Sequence, residues 1–246
     1  MRSGKTLLLA LVGILSLWVS PLRAETLVFG VLVSSEVRDT FLRFRPLALF
    51  LEQDLGRKVR LQPLPWPKFE QAFRQGRFHL ALASPGCFLL RAPYRGVLWM
   101  EDPRTPVIIF RRGTLRSNFS GGKAAVWPYS YEGYLAQAAY LSSRLGAFPP
   151  KGVRFLGAEP LVVFAVLNGK EKLGMVSLRA ARPYASKLKI IRLEGKVRWV
   201  VFFHRRLSPS LASRIKSVLL SYRSREFFFA PLASPPDLSS FRGFVP

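Results

Sequence analysis

The chain has 246 residues, 38 Lys and Arg against 14 Asp and Glu, and a formal net charge of +24. That length is enough for one large domain or two smaller units. The single cysteine, Cys87, excludes an internal disulfide, and the two histidines, His79 and His204, lie too far apart in sequence for a zinc-ligand spacing.

Arg2 and Lys5, then an apolar run from Thr6 to Val19, then Pro21-Leu22-Arg23-Ala24, have the layout of a secretory signal peptide, residues 1–24. Cleavage is expected after Ala24, and the mature chain of 222 residues keeps a net charge of +21. An uncleaved anchor is the alternative, since Leu22 is bulky two places before the cut. The run is nevertheless short for a membrane span of about 20 residues. The Lys and Arg residues are scattered, which suits a solvated surface; steering of anions or contact with an acidic partner are the functional readings. Nucleic acid is not an expected partner, because the chain is exported and no recognition module is present. Cys87 in an oxidising compartment reads as a buried thiol.

Leu27 to Val33 forms an apolar strand that stops at Ser34-Ser35-Glu36. Phe44, Leu47, Leu51 and Leu55 then fall at helical spacing, and Gly56 stops the helix. Val59-Arg60-Leu61 is a second strand before Pro65-Trp66-Pro67. Phe69, Ala72 and Phe73 make the face of a short helix that Pro67 opens and Gly76 closes, and the run FHLALA from Phe78 is a third strand before Ser84-Pro85-Gly86-Cys87. Strands joined by helical crossovers run the same way, so this stretch predicts a parallel α/β sheet. Ligands of such sheets bind where loops leave the carboxyl ends of strands.

Pro93, Pro103 and Pro106 precede Val107-Ile108-Ile109-Phe110, a β-branched run that leaves the first unit. The pattern then repeats: strand at Ala124 to Val126, helix over Tyr134, Leu135, Ala138 and Leu141 stopped by Gly146, and strand at Val153 to Leu156. An apolar helix from Leu161 to Leu167 stopped by Gly169 and a strand at Leu173 to Val176 complete it. Val197 to Phe203 is a further strand, and Ser208-Pro209 opens a helix with apolar face Leu211, Ile215, Val218, Leu219 and Tyr222. The tail from Pro231 is expected to wrap over the first unit. Two units follow, residues 25–106 with 197–246 and residues 107–196.

The strings FGVLVSS, RPLALFLEQDLGRKV, AFRQG, GGKAAVWPYSYEGYLA, AVLNG and HRRLSPSLASRIKSVLL, in this order, resemble the phosphonate-binding-like family of periplasmic solute-binding proteins. The resemblance implies a two-lobed type 2 periplasmic-binding fold, α/β, each lobe a mainly parallel sheet flanked by helices, with two crossover hinge segments. It further implies a periplasmic monomer without cofactor or metal that captures a small solute, either an oxyanion, a phosphonate-like molecule or a zwitterion. The solute would pass to an ABC-transporter permease; the alternative is a sensing subunit for a membrane receptor or histidine kinase.

By position, the resemblance places Ser34, Ser35, Trp66, Ser84 and the segment Tyr129, Ser130, Tyr131, Glu132 around the solute. A helix starting near Ser130 would offer N–H groups to an anion. Glu132 departs from the hydroxyl expected there, and Glu159 stands where the family often has His; each would repel a doubly charged anion or hold a cationic part of the solute. Cys87, at the edge of the third strand, is a candidate contact for a soft metalloid. No paired acid and base or nucleophile set stands out, so an enzyme is not expected.

Overall fold

The structure is a computed structural model that describes residues 26–34, 36–113, 121–145 and 152–246. The signal segment, Ser35 and Gly146 lie outside these residues. Strand β1 (Leu27–Val33) is buried along its whole length, and helix α1 (Val37–Leu55) covers it with Phe44, Leu47, Leu51 and Leu55. Complete burial of one such leucine contributes about 1.5–3 kcal/mol. Pro46 sits inside α1, but on its exposed side, where the carbonyl it leaves unbonded can meet water. Gly56 ends the helix at φ 62°, a left-handed conformation natural to glycine.

Strand β2 (Val59–Pro65), helix α2 (Trp66–Arg74) and strand β3 (Leu80–Ala83) follow. A single 3-10 turn, Pro85–Leu89, leads on to strand β4 (Tyr94–Arg104) and strand β5 (Pro106–Arg111). The second unit holds β6 (Lys123–Ala125), a wide turn at Tyr131–Leu135 continuing into α3 (Ala136–Leu145), and β7 (Val153–Phe155). Next come α4 (Glu159–Leu167), β8 (Leu173–Ser177), the single turn α5 (Leu178–Ala181) and β9 (Leu188–Arg192). The chain finishes with β10 (Val197–His204), α6 (Pro209–Ser221) and β11 (Phe229–Pro231). Ser208 caps α6 by accepting the Leu211 N–H at 3.3 Å.

Two sheets result, ordered β11-β4-β10-β3-β1-β2 and β7-β6-β8-β5-β9. In each, the strand read first from the unit's pattern lies between two parallel neighbours: β1 between β3 and β2, and β6 between β8 and β7. Beside each trio runs an antiparallel strand that the chain enters by crossing from the other unit: β10 against β3, and β5 against β8. Each sheet is therefore mixed, not wholly parallel. The crossings occur at Thr105 and between Leu193 and Lys196, the first held by the Leu178 N–H bonded to the Thr105 carbonyl at 2.8 Å.

Three strands escape the sequence reading, β4, β9 and the short β11. β4 carries Pro103 and mixes buried and half-buried positions, so it lacks a clean alternation, although it pairs with β10 over most of its length. β9 is an edge strand with only Leu188 fully buried. The tail also departs from expectation. After the Leu232 N–H bonds Val97, it turns onto the second unit, where Phe241 packs on Tyr131 at 5.3 Å and the Tyr134 hydroxyl donates to the Phe244 carbonyl at 3.1 Å. Aromatic residues of the second unit offer the tail a partner surface that local sequence does not announce. No helix of the described residues is long and apolar enough to cross a membrane.

Candidate functional site

The carboxyl ends of the central strands of both units face one another. Ser34 follows β1, Ser84 follows β3, the segment 129–133 follows β6, and Ser177 ends β8. Between them the protein places one of its own carboxylates. Glu132, 3 % exposed, accepts hydrogen bonds from Ser84 Oγ at 2.9 Å and from Trp199 Nε1 at 2.7 Å, and pairs with Arg104 at 3.4 Å. Ser84 Oγ also accepts the Tyr131 N–H at 2.9 Å, so the first N–H of the helical segment is already used. The main chain behind is fixed as well: Gln137 Nε2 donates to the carbonyls of Glu132, Val107 and Val176 at 2.7, 3.2 and 3.0 Å.

Arg104 is the cation of this contact. Its guanidinium lies 3.8 Å from the centre of the Trp199 ring, a cation–π arrangement, and it is almost wholly buried. Burial lowers its pKa, while Glu132, Glu159 and Asp102 act in the opposite direction. Its Nε has no hydrogen-bond partner among the described residues. On the far side the units are joined by Trp127 Nε1 donating to Glu70 at 2.6 Å and by Arg74 donating to the Tyr129 hydroxyl at 3.0 Å.

Next to the Arg104–Trp199 pair is an open cavity of about 650 Å³. The first unit lines it with Leu32, Ser34, Arg43 and Phe44, the second with Glu159, Arg179 and Tyr184. Its volume suits a small-molecule ligand, for which pockets run from about 300 to 1,000 Å³. Glu159, the first residue of α4, is 5 % exposed and accepts the Ser177 N–H at 2.7 Å. Burial raises its pKa, Arg104 and the Ser177 contacts lower it, and Glu132 raises it. A second cavity of about 380 Å³ lies on one unit, between β4 and α6, away from the carboxyl ends of β1, β3, β6 and β8. The cavity between the units is the one the sheet topology favours.

Two facing α/β units, each completed by an antiparallel strand from the crossover, can be compared with solved structures. A binding-protein component of an ABC phosphonate transporter from Pseudomonas aeruginosa is similar at TM-score 0.69, with 14 % identity over 85 % of this chain and 82 % of that one. PhnD1 from Prochlorococcus marinus, in complex with methylphosphonate, is similar at TM-score 0.70, with 14 % identity over 88 % and 96 %. The fold is the type 2 periplasmic-binding fold. A histidine kinase sensor domain with similarity to periplasmic binding proteins shares it at TM-score 0.52, with 14 % identity over 80 % and 91 %. No protein-family model and no curated protein matches the sequence.

Within this type 2 fold the candidate residues separate into groups. Ser34 and Glu159 line the cavity, joined to one another by the Glu159 N–H and the Ser34 carbonyl at 3.4 Å. Ser84, Tyr129, Ser130, Tyr131 and Glu132 come together at the contact between the units, where Ser130 is buried and Ser84 has no exposed surface. Trp66 is in the core of the first unit, edge-on to Phe69 at 6.4 Å, because α2 turns its start inward. Cys87 is buried in the 3-10 turn, and burial raises its thiol pKa well above the usual range, followed by Glu70 and Glu132. Neither residue lines the cavity. Ser35 lies outside the described residues.

Arg43, Arg104, Arg179 and Trp199 complete the site, and none was singled out from sequence. Arg43 stands on the helical face next to the buried Phe44, and Trp199 reads as one more apolar residue of a buried strand. Arg104, isolated between Pro103 and Pro106 at a crossover, is the one that sequence could have flagged. Among the described residues no group of three or more His, Cys, Asp or Glu side chains is placed to hold a metal ion.

Proposed function

We propose that this chain is an exported solute-binding protein that captures a small polar solute between its two lobes and delivers it to an ABC-transporter permease. The observation that carries this reading is the cavity of about 650 Å³ at the carboxyl end of β1, walled by both units. In this reading the lobes are residues 25–106 with 197–246 and residues 107–196, and they part and close about the crossings at Thr105 and at residues 193–196. Ser34 and Glu159 contact the solute. The protein acts after export, in the periplasm, and performs no chemistry on what it binds. Two structures of the same fold are named for phosphonates, which makes that class one candidate.

A second reading, a sensing subunit that docks on a membrane receptor or kinase, is favoured by the bonds between the units. Glu132 with Trp199 and Ser84, and Glu70 with Trp127, join the lobes through the protein's own groups. Cross-linking in the source membrane followed by mass spectrometry separates the two. Capture of a permease supports transport, and capture of a sensor kinase supports sensing. A melting temperature that no small polar solute raises would overturn both.

A further inference from the structure

The charges around the cavity do not follow the charge of the chain. Three arginines face it, and each already has an acidic partner: Arg43 has Asp102 at 2.8 Å and Glu226 at 2.6 Å, Arg179 has Asp102 at 3.7 Å, and Arg104 has Glu132 at 3.4 Å. Two more carboxylates line the same space, Asp39 on α1 and Glu159 on α4. Among the described residues neither takes part in a salt bridge. A chain with 38 Lys and Arg thus sets three carboxylates, Asp39, Glu159 and Glu226, against three guanidinium groups on the wall of its cleft, with Asp102 and Glu132 paired to those arginines from behind.

Asp39 is exposed and solvated, so it demands little. Glu159 is buried, and among the described residues its carboxylate makes one hydrogen bond, accepted at Oε1 from the Ser177 N–H. A buried carboxylate without a direct ion pair is costly, and Arg104, which favours the Glu159 charge from a distance, gives its own close contacts to Glu132 and to the Trp199 ring. The wall there is also incomplete in one other polar group: Arg104 Nε is buried and has no partner among the described residues.

The neighbouring place for an oxyanion is taken. Ser84 Oγ accepts the Tyr131 N–H and donates to Glu132, so the anion at this helical start is the protein's own. A phosphate or phosphonate brought there would meet the Glu132 carboxylate.

We infer that the solute bears a cationic amine or guanidinium group held by Glu159 in the cavity, and that Glu132 excludes simple oxyanions from the adjoining helical start. This rests on the solute-binding reading and narrows its substrate class. Glu159 supplies the counter-charge, and Ser34 and Tyr184 border the same space.

The test is a thermal-shift and calorimetric titration of the purified protein with butylamine, putrescine and L-lysine, in parallel with butyrate, succinate and methylphosphonate. At least one amine is expected to stabilise the protein and none of the acids to do so. Glu159→Gln keeps an acceptor for the Ser177 N–H and should leave the unliganded melting curve cooperative, yet weaken the amine about tenfold or more, the loss of one charge-assisted bond. Stabilisation by an acid and by no amine overturns this inference while solute binding stands. Amine affinity unchanged in Glu159→Gln overturns it too. No response to either class up to about 10 mM overturns the solute-binding reading along with it.

Discussion

Trp199 Nε1 donates to Glu132 Oε1 at 2.7 Å, joining the central antiparallel strand of the six-stranded sheet to the helical start after β6 in the other unit. Arg104 lies on the face of that indole and against the same carboxylate oxygen. One carboxylate therefore ties both lobes together and neutralises a buried guanidinium.

Removal of that carboxylate leaves Arg104 charged and uncompensated. Glu132→Ala should lower the unfolding free energy by about 3–5 kcal/mol, the usual effect of breaking a buried pair. Glu132→Leu combined with Arg104→Met should recover most of it, because the packed apolar pair carries no charge to desolvate. Urea unfolding measures both, and a loss below about 1 kcal/mol in the single variant would show that the pair is not desolvated.

Gly86 sits where the loop after β3 meets the second unit. A Cβ at this position would run into the Tyr129 carbonyl oxygen, which is backbone and cannot rotate away. Gly86→Ala should therefore hold the lobes apart. Small-angle scattering is expected to give a larger radius of gyration with secondary structure retained by circular dichroism. An unchanged radius would mean that the lobes do not meet here in solution.

The Tyr94 hydroxyl accepts the Phe78 N–H at 2.9 Å and donates to the Phe78 carbonyl at 3.0 Å, so Tyr94→Phe strands two buried backbone groups. A loss of about 1–3 kcal/mol is expected. Burial pushes the Tyr94 pKa up to about 12, so the neutral phenol is the folded form. Its contribution is complete below the unfolded value of about 10 and falls as pH rises from there through the folded value. Stability of the parent measured between neutral and strongly alkaline pH should fall more steeply than that of Tyr94→Phe; parallel curves would sink the assignment.

Cys87 is 1 % exposed, with a thiol held neutral by its surroundings. A chromogenic disulfide reagent at neutral pH should leave the native protein almost unmodified and label one thiol per chain in denaturant. Rapid labelling of native protein, slowed by a soft metalloid, would instead restore Cys87 as a solute contact.

Much of the architecture was legible in local sequence. Apolar spacing in Phe44, Leu47, Leu51 and Leu55 and the stop at Gly56 fixed the first helix. Ser208-Pro209 marked the start of the last one. β4 was not legible: its residues gain their pairing from β10 and β11, about a hundred positions or more later, and Pro103 masks the pattern. Of the residues placed in advance around a solute, Ser34 and Glu159 do line the cavity, whereas Trp66 points into a core because of how α2 rolls onto β1 and β2.

By itself the sequence determined the two repeated strand-helix units, their crossover order and the loops at their strand ends, because these depend on contacts within a few turns of chain and on the handedness of crossovers. The tertiary structure alone decided what stands at the cleft. Glu132 meets Arg104 across 28 positions and Trp199 across 67, and whether a carboxylate in that loop faces a solute or an internal guanidinium depends on how the two sheets are set against each other. No periodicity encodes that distance. It arises when chain crossings at Thr105 and at residues 193–196 bring the two sets of strand ends together, and a buried charge then takes the nearest partner that offsets its desolvation.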